Sequence, residues 1–174
     1  MNKVLIVVDM QNDFITGPLG TPEAQAIVPK VKEKIEEYRK RGDRIIFTRD
    51  THFKNYMDTL EGKHLPVEHC IAASDGWKIV DSLTSYEDER IIKYSFGHTN
   101  WVRDVNHIID MCDSIELVGV CTDICVVSNA LILKAEYPYI EIYVDASCCA
   151  GTTSENHKAA LQVMKCCQIN VVGE

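Results

Sequence analysis

Short apolar runs rich in β-branched residues alternate along the chain with longer stretches of helical period. The segments 4–8, 44–47, 90–93, 115–119, 141–144 and 169–172 read as strands. Between them, 26–41, 100–111, 124–136 and 154–167 read as helices, with Thr21-Pro22-Glu23 and Thr153-Ser154-Glu155 as start signals. Strands alternating with helices predict parallel pairing through right-handed crossovers, and so a three-layer, doubly wound α/β sheet of about six parallel strands with helices on both faces. Such a sheet places ligands beyond the carboxyl ends of its strands, near the point where strand order reverses. Residues 51–82 show no clean period and carry Gly62, Pro66 and Gly76; an excursion of that length in a compact domain is usually functional or disordered. No internal repeat or linker interrupts the pattern, so a single domain is expected over residues 1–174.

Composition narrows the partners more than it alters the fold. The 174 residues are 46% apolar and 25% charged, close to the globular average. With a formal net charge of −8, the chain repels phosphate backbones and anionic lipid surfaces, so neither nucleic acid nor a membrane is expected as partner. The apolar run at Val4–Val8 is far short of the roughly 20 residues that span a bilayer, and with no export signal a cytoplasmic location is expected. The eight cysteines contain no C-x-x-C, and a chain of this length builds a core without disulfides, so they read as thiols, most of them small buried hydrophobes.

Four places carry candidate chemistry. Asp9 closes the first strand, where a carboxylate is either a functional group or a turn cap. Lys93 closes the third; it is a snorkelling surface lysine or a buried cation that needs a carboxylate such as Asp9. Cys125 follows the fourth strand near a helix start, where unpaired N–H groups and the helix dipole favour a thiolate, or else it is simply packed there. Asp50-Thr51-His52 follows the second strand, with Glu61, His64 and His69 downstream, giving oxygen and imidazole donors of the kind divalent metals accept. Phe14 is the aromatic expected as a pocket wall, while His98, His107 and His157 are assigned to the surface or to caps.

Taken together, Asp9 in VVDMQNDF, Lys93 in IIKYSFG and Cys125 in GVCTDICVVSNAL resemble the isochorismatase-like cysteine hydrolases, and among them the nicotinamidases. The resemblance runs over essentially the whole chain, including VDASCCAG. It implies an isochorismatase-like, Rossmann-like fold, an Asp9–Lys93–Cys125 triad that hydrolyses small amides, and a cis peptide at Val120–Cys121. It further implies an oxyanion hole from the backbone N–H groups of Cys121 and Cys125, with Val120 and Phe14 at the substrate pocket. Asp50, His52 and His69, with Glu61 as a further ligand, are implied to hold a divalent metal, zinc foremost and manganese or iron as alternatives. A homo-oligomer is likewise implied. Two departures touch the pocket. Nicotinamidases commonly carry tryptophan and proline just before the last metal histidine, where this chain has Leu65-Pro66-Val67-Glu68-His69, and their following Gly-Thr is Ala73-Ser74 here.

The expected activity is metal-assisted hydrolysis of nicotinamide or a similar small carboxamide to acid and ammonia. Another small amide or an N-carbamoyl compound is the enzymatic alternative. A non-catalytic redox or metal-binding thiol protein is the alternative from a different class, with Cys121 four residues from Cys125 as its partner thiol. A dinucleotide-binding module is disfavoured because Asp9-Met10-Gln11, not G-x-G-x-x-G, follows the first strand.

Overall fold

The computed structural model describes residues 2–174, and its centre is a six-stranded, all-parallel sheet. The strands are β1 (Lys3–Val8), β2 (Arg44–Asp50), β3 (Glu89–Lys93), β4 (Ser114–Val120), β5 (Glu141–Ala150) and β6 (Asn170–Val172), in the order β3-β2-β1-β4-β5-β6. Five consecutive residues of β1, Val4 to Val8, are buried, as a strand covered on both faces requires. On one face lies α1 (Pro22–Arg41), which presents Ala24, Ile27, Val31, Ile35 and Tyr38 to Leu5, Val7, Phe47 and Val118. On the other lie α2 (Trp101–Ile109), α3 (Val127–Glu136) and α4 (Ser154–Cys166), which bury Trp101, Ala130, Leu133 and Met164 against Val4, Ile6, Ile115 and Leu117.

The predicted architecture is observed, with shifted boundaries that have local causes. The start signal at Thr21 holds: its side chain accepts from Ala24 N at 3.0 Å, with Pro22 at the first helical position, so α1 begins four residues before the expected Ala26. Thr153 caps α4 in the same way, accepting from Asn156 N at 3.0 Å. β5 continues through Asp145-Ala146-Ser147-Cys148-Cys149-Ala150, a stretch whose small residues hide its strand character. The excursion at 51–82 contains a 3-10 turn (Tyr56–Asp58) and two short helices (Leu60–His64 and Asp81–Thr84), too brief for any period to show.

Strand order reverses at β1, whose two neighbours are β2 and β4. The strands β1 and β4 approach so closely at their carboxyl ends that a Cβ on Gly119 (φ 117°) would stand 2.1 Å from Val8 O. Only glycine allows this pairing, and it brings the residues after Val8 and after Val120 to one place. Among the described residues no helix is long and apolar enough to cross a membrane. All eight cysteines are free thiols.

Candidate active site

Asp9 follows β1 in a left-handed conformation (φ 50°), which aspartate tolerates better than most residues. Thr48 of β2 fixes it: the threonine hydroxyl accepts from Asp9 N at 3.2 Å and donates to Asp9 Oδ1 at 2.6 Å. Asp9 Oδ2 lies 2.7 Å from Lys93 Nζ. Register pairs Lys93 with Asp50 across β2 and β3, and Nζ also meets Asp50 Oδ1 at 3.2 Å and the Ser95 carbonyl at 3.2 Å. Cys125 Sγ stands 3.5 Å from the same nitrogen. Lys93 is thus the buried cation rather than the snorkelling one, and all three side chains lie together out of solvent.

Burial pushes the Asp9 carboxyl up, and the Lys93 charge takes back part of the rise. Burial opposes the Lys93 ammonium, but Asp9, Cys125 and Asp50 outweigh it and keep the lysine charged. Of the two readings of Cys125, thiolate or packed thiol, its surroundings favour the second: burial pushes the thiol well above its ordinary value, Lys93 opposes this, and the Asp9 and Asp50 charges add to the rise. The reason is local. Cys125 sits inside a single π-helical turn, Thr122–Val126, closed by Ile124 N and Val126 N donating to Cys121 O at 3.1 and 3.0 Å, and it is buried beside the Asp9 and Asp50 carboxylates. Asp9 Oδ2 has no aligned hydrogen bond despite its ion pair with Lys93. The Val120–Cys121 peptide is cis.

Next to this cluster stand the metal-donor candidates. Asp50 is the last residue of β2, not a residue beyond it, and His52 follows two positions on. The long excursion returns to pair beside His52, with His52 N donating to Cys70 O at 2.9 Å and Ala72 N to His52 O at 2.8 Å, which delivers His69. Donor atoms of Asp50, His52, Glu61 and His69 all lie within 4.8 Å of one another. Asp50 Oδ2 is 2.9 Å from His52 Nε2 and 3.7 Å from His69 Nε2, and Glu61 Oε1 is 3.6 and 3.7 Å from the same nitrogens. His69 Nδ1 donates to Val67 O at 2.8 Å, which turns Nε2 toward the group. Burial works against the Asp50 carboxylate, but hydrogen bonds from His52 and His69 and the charge of Lys93 hold it far below the usual range. Two imidazole nitrogens with two carboxylate oxygens suit a zinc-like divalent cation. His64 is exposed and takes no part.

A cavity of about 320 Å³ opens onto Cys125, with Phe14, Leu65, Phe96 and Val120 among its walls and Asp50, Glu61 and His69 at one side. Phe14 and Val120, both expected at a substrate pocket, line this cavity. Four polar residues escaped the sequence reading. Gln11 clips Asp50, its Nε2 donating to Asp50 O at 2.9 Å and its Oε1 accepting from Asp50 N at 2.7 Å. Thr48 holds Asp9, and Tyr56 stands edge-on to His52 and His69, with ring centroids 4.8 and 5.0 Å away. Asn129, fully buried, donates to Cys125 O at 2.8 Å. A polar side chain inside an apolar stretch was the available signal for Asn129. His98 is a further correction. It is buried rather than superficial, with Nε2 2.9 Å from Asp104 Oδ2 and its ring edge-on to Trp101.

A family model described as the isochorismatase domain matches residues 3–173. The chain belongs to the isochorismatase domain family. Within it, the chain is 28% identical over 173 residues to the nicotinamidase of Saccharomyces cerevisiae, spanning 74% of this chain and 80% of that one. It is 30% identical over 178 residues to an Arabidopsis thaliana protein named as a probable inactive nicotinamidase, spanning 94% and 88%. Among solved structures, the pyrazinamidase of Pyrococcus horikoshii in complex with zinc superposes over 100% of both chains with a TM-score of 0.85 at 29% identity. These likenesses place this isochorismatase-family chain among the nicotinamidase-like amidohydrolases.

Proposed function

We propose that the chain hydrolyses the amide C–N bond of nicotinamide or a similar small carboxamide, giving the acid and ammonia through a thioester on Cys125. The observation that carries this reading is the buried Asp9–Lys93–Cys125 cluster, with Lys93 Nζ 2.7 Å from Asp9 Oδ2 and 3.5 Å from Cys125 Sγ, at the floor of a cavity. A thiol held neutral needs a base at the moment of attack, and a carboxylate whose proton affinity is raised by burial is matched to that task.

Asp9 takes the proton from Sγ as sulfur attacks the carbonyl carbon, and Lys93 keeps the site's charge balanced throughout. The carbonyl oxygen becomes an oxyanion facing the backbone N–H groups of Cys121 and Cys125, a kind of contact worth roughly 3 to 4 kcal/mol per strong donor. Asp9 then protonates the departing nitrogen, the C–N bond breaks and ammonia leaves. In the second half Asp9 takes a proton from water, hydroxide adds to the thioester, and the acid departs as the thiol is restored. Asp50, His52, Glu61 and His69 would hold a divalent cation, with zinc the best fit to the donors, and it would supply Lewis acidity beside the cavity. The partners of this reading are the small amide and further copies of the chain.

The test is ammonia release from nicotinamide and a panel of small amides by the native chain and by Cys125→Ala. Turnover by the native chain, absent from a variant that keeps its fold and metal content, is the expected result. Ammonia release retained by Cys125→Ala removes the thioester, and silence of the metal-loaded native chain across the panel overturns the reading.

A further inference from the structure

The turn that carries Cys125 is seated on a distant part of the chain, the head of α4. Thr122, the first residue of that turn and fully buried, places Oγ1 2.8 Å from Nδ1 of His157. Asp123, the next residue, accepts from Thr152 N at 2.8 Å on Oδ1 and from Thr152 Oγ1 at 2.5 Å on Oδ2. The two parts are in close contact: a Cβ on Gly151 would stand 2.9 Å from Asp123 Oδ1 and 2.9 Å from His157 Cβ. His157 is thus neither on the surface nor a cap, the roles expected from the sequence. It is half-buried at the start of α4, with its backbone N–H donated to Thr153 O at 2.9 Å. Cys121, Ile124, Gly151 and Thr152 all line the cavity over Cys125, so this clasp forms part of the cavity wall.

A threonine hydroxyl at a helix start ordinarily finds its partner in neighbouring backbone. Thr122 instead bonds across 35 residues of chain. The bonds from Ile124 N and Val126 N to Cys121 O close the turn on itself, but they do not set how the turn tilts against its surroundings. That tilt decides where the N–H groups of Cys121 and Cys125 point, because Thr122 lies between them, directly after Cys121. α4 is a firm reference for it, with Leu161 and Met164 buried in the core. Donors to an oxyanion act at about 2.7 to 3.1 Å, and a misplacement of about 1 Å costs on the order of a hundredfold in rate.

We propose that His157 is a positioning residue: by holding the Thr122 hydroxyl it seats the nucleophile's turn on α4 and so aims the Cys121 and Cys125 N–H groups at the developing oxyanion. The proposal rests on the amidase reading for the role of those two groups, but one of its tests needs no turnover. Pyridine-3-carboxaldehyde is the aldehyde counterpart of nicotinamide. The Cys125 sulfur adds to its carbonyl carbon, the π bond opens and the thiol proton passes to oxygen, giving a reversible thiohemiacetal whose oxygen takes the oxyanion's place. Iodoacetamide alkylates the same sulfur at a saturated carbon, releasing iodide and the thiol proton, and forms no oxyanion. Comparing the two on the full chain separates the aim of the N–H groups from the state of the sulfur.

His157→Phe keeps an aromatic ring and loses the nitrogen. It is expected to lower kcat for nicotinamide between about tenfold and a hundredfold with KM moved less than about threefold, and to weaken the aldehyde adduct about tenfold while the alkylation rate changes less than about twofold. His157→Asn, whose amide reaches the place of Nδ1, recovers most of the loss; His157→Gln, whose amide lies one carbon farther out, does not. Thr122→Val removes the same bond from the other side, which keeps the test intact should the His157 variant fail to fold. The double variant is no slower than either single one, the non-additivity expected of two residues that share one bond. A His157→Phe kcat within about threefold of native, equal weakening of adduct and alkylation, additive Thr122 and His157 effects, or His157→Asn as slow as His157→Phe overturns the proposal. An aldehyde adduct that follows this pattern in a chain releasing ammonia from no amide overturns the amidase reading alone.

Discussion

Replacing Lys93 by methionine tests how the central cluster is held together. The lysine side chain is fully buried, 2.7 Å from Asp9 Oδ2 and 3.2 Å from Asp50 Oδ1, and methionine has nearly its shape without its charge. The substitution therefore leaves two buried carboxylates without their shared cation. Removing one partner of a buried ion pair costs about 3 to 5 kcal/mol, chiefly because the other charge is stranded. For a chain of this length each kcal/mol lowers Tm by about 2 to 4 °C, so a fall of about 6 to 20 °C is expected. In the variant Asp9 keeps the burial that raises its pKa and loses the Lys93 charge and hydrogen bond that lower it. A carboxyl whose folded pKa lies above its unfolded value of 3.8 contributes stability that is present below the unfolded value and lost as pH rises through the folded one. The gap between native and variant should accordingly narrow as pH falls from 7. Adding Asp9→Asn removes one stranded charge, so the double variant should recover about 2 kcal/mol relative to additivity, read from urea or thermal unfolding at pH 7. A Lys93→Met loss under about 1 kcal/mol, or strict additivity with Asp9→Asn, would refute the reasoning.

Asp13 Oδ2 accepts from Cys70 N at 2.7 Å, beside His69. Asp13→Ala strands that N–H and should cost about 1 to 3 kcal/mol in unfolding free energy, with weaker metal binding in a chelator competition; a change below 0.5 kcal/mol with unaltered metal affinity would sink this. Two glycines with positive φ should part company. Gly42→Ala (φ 77°) meets nothing within 4 Å and should cost about 1 to 2 kcal/mol by denaturant titration, whereas Gly119→Ala, aimed at Val8 O from 2.1 Å, should cost more than about 3 kcal/mol or yield no folded chain; comparable losses would show that β1 and β4 can separate.

What could be read from the sequence was whatever has a period or a strand end. Six apolar runs separated by helical stretches specify a parallel sheet, and Asp9, Lys93 and Cys125 each lie at or just beyond the carboxyl end of one of its strands. The donor set at Asp50, His52, Glu61 and His69 was legible as residue types, but its convergence depends on backbone pairing between His52 and the 70–72 segment, which no local pattern announces. Gln11 and Thr48 were missed because their roles are contacts across 39 residues of chain. The choice between thiolate and packed thiol at Cys125 could not be made from the sequence for the same reason. Local rules give the helix start and a nearby cation, while the dominant influence, burial beside two carboxylates, exists only after the strands assemble.

That shift also makes the two halves of the site testable against each other. Cys125 carries a thiol whose pKa lies well above the ordinary value of 9.0, with burial the largest cause and the Asp9 and Asp50 charges adding to it. The rate of its alkylation by iodoacetamide, followed by peptide mass spectrometry, should therefore keep rising with pH beyond 9 rather than level off there. A thiol already ionised at neutral pH would level off below that value and would restore the thiolate that the helix start suggested. Asp50 touches both groups at once, Oδ1 facing Lys93 at 3.2 Å and Oδ2 facing the two histidines. A divalent cation among those donors adds positive potential on the Asp50 side of the sulfur, and between buried groups such a charge is screened less than at the surface. Loading zinc should consequently move the alkylation midpoint to lower pH, and chelation should move it back up. The midpoint is the quantity to compare, because a loosened 51–82 segment would change access to the thiol, and with it the rate, without changing its proton affinity. A midpoint that stays fixed on chelation, or falls, would mean that the carboxylate of Asp50 does not transmit the charge of its metal-side neighbours to Cys125.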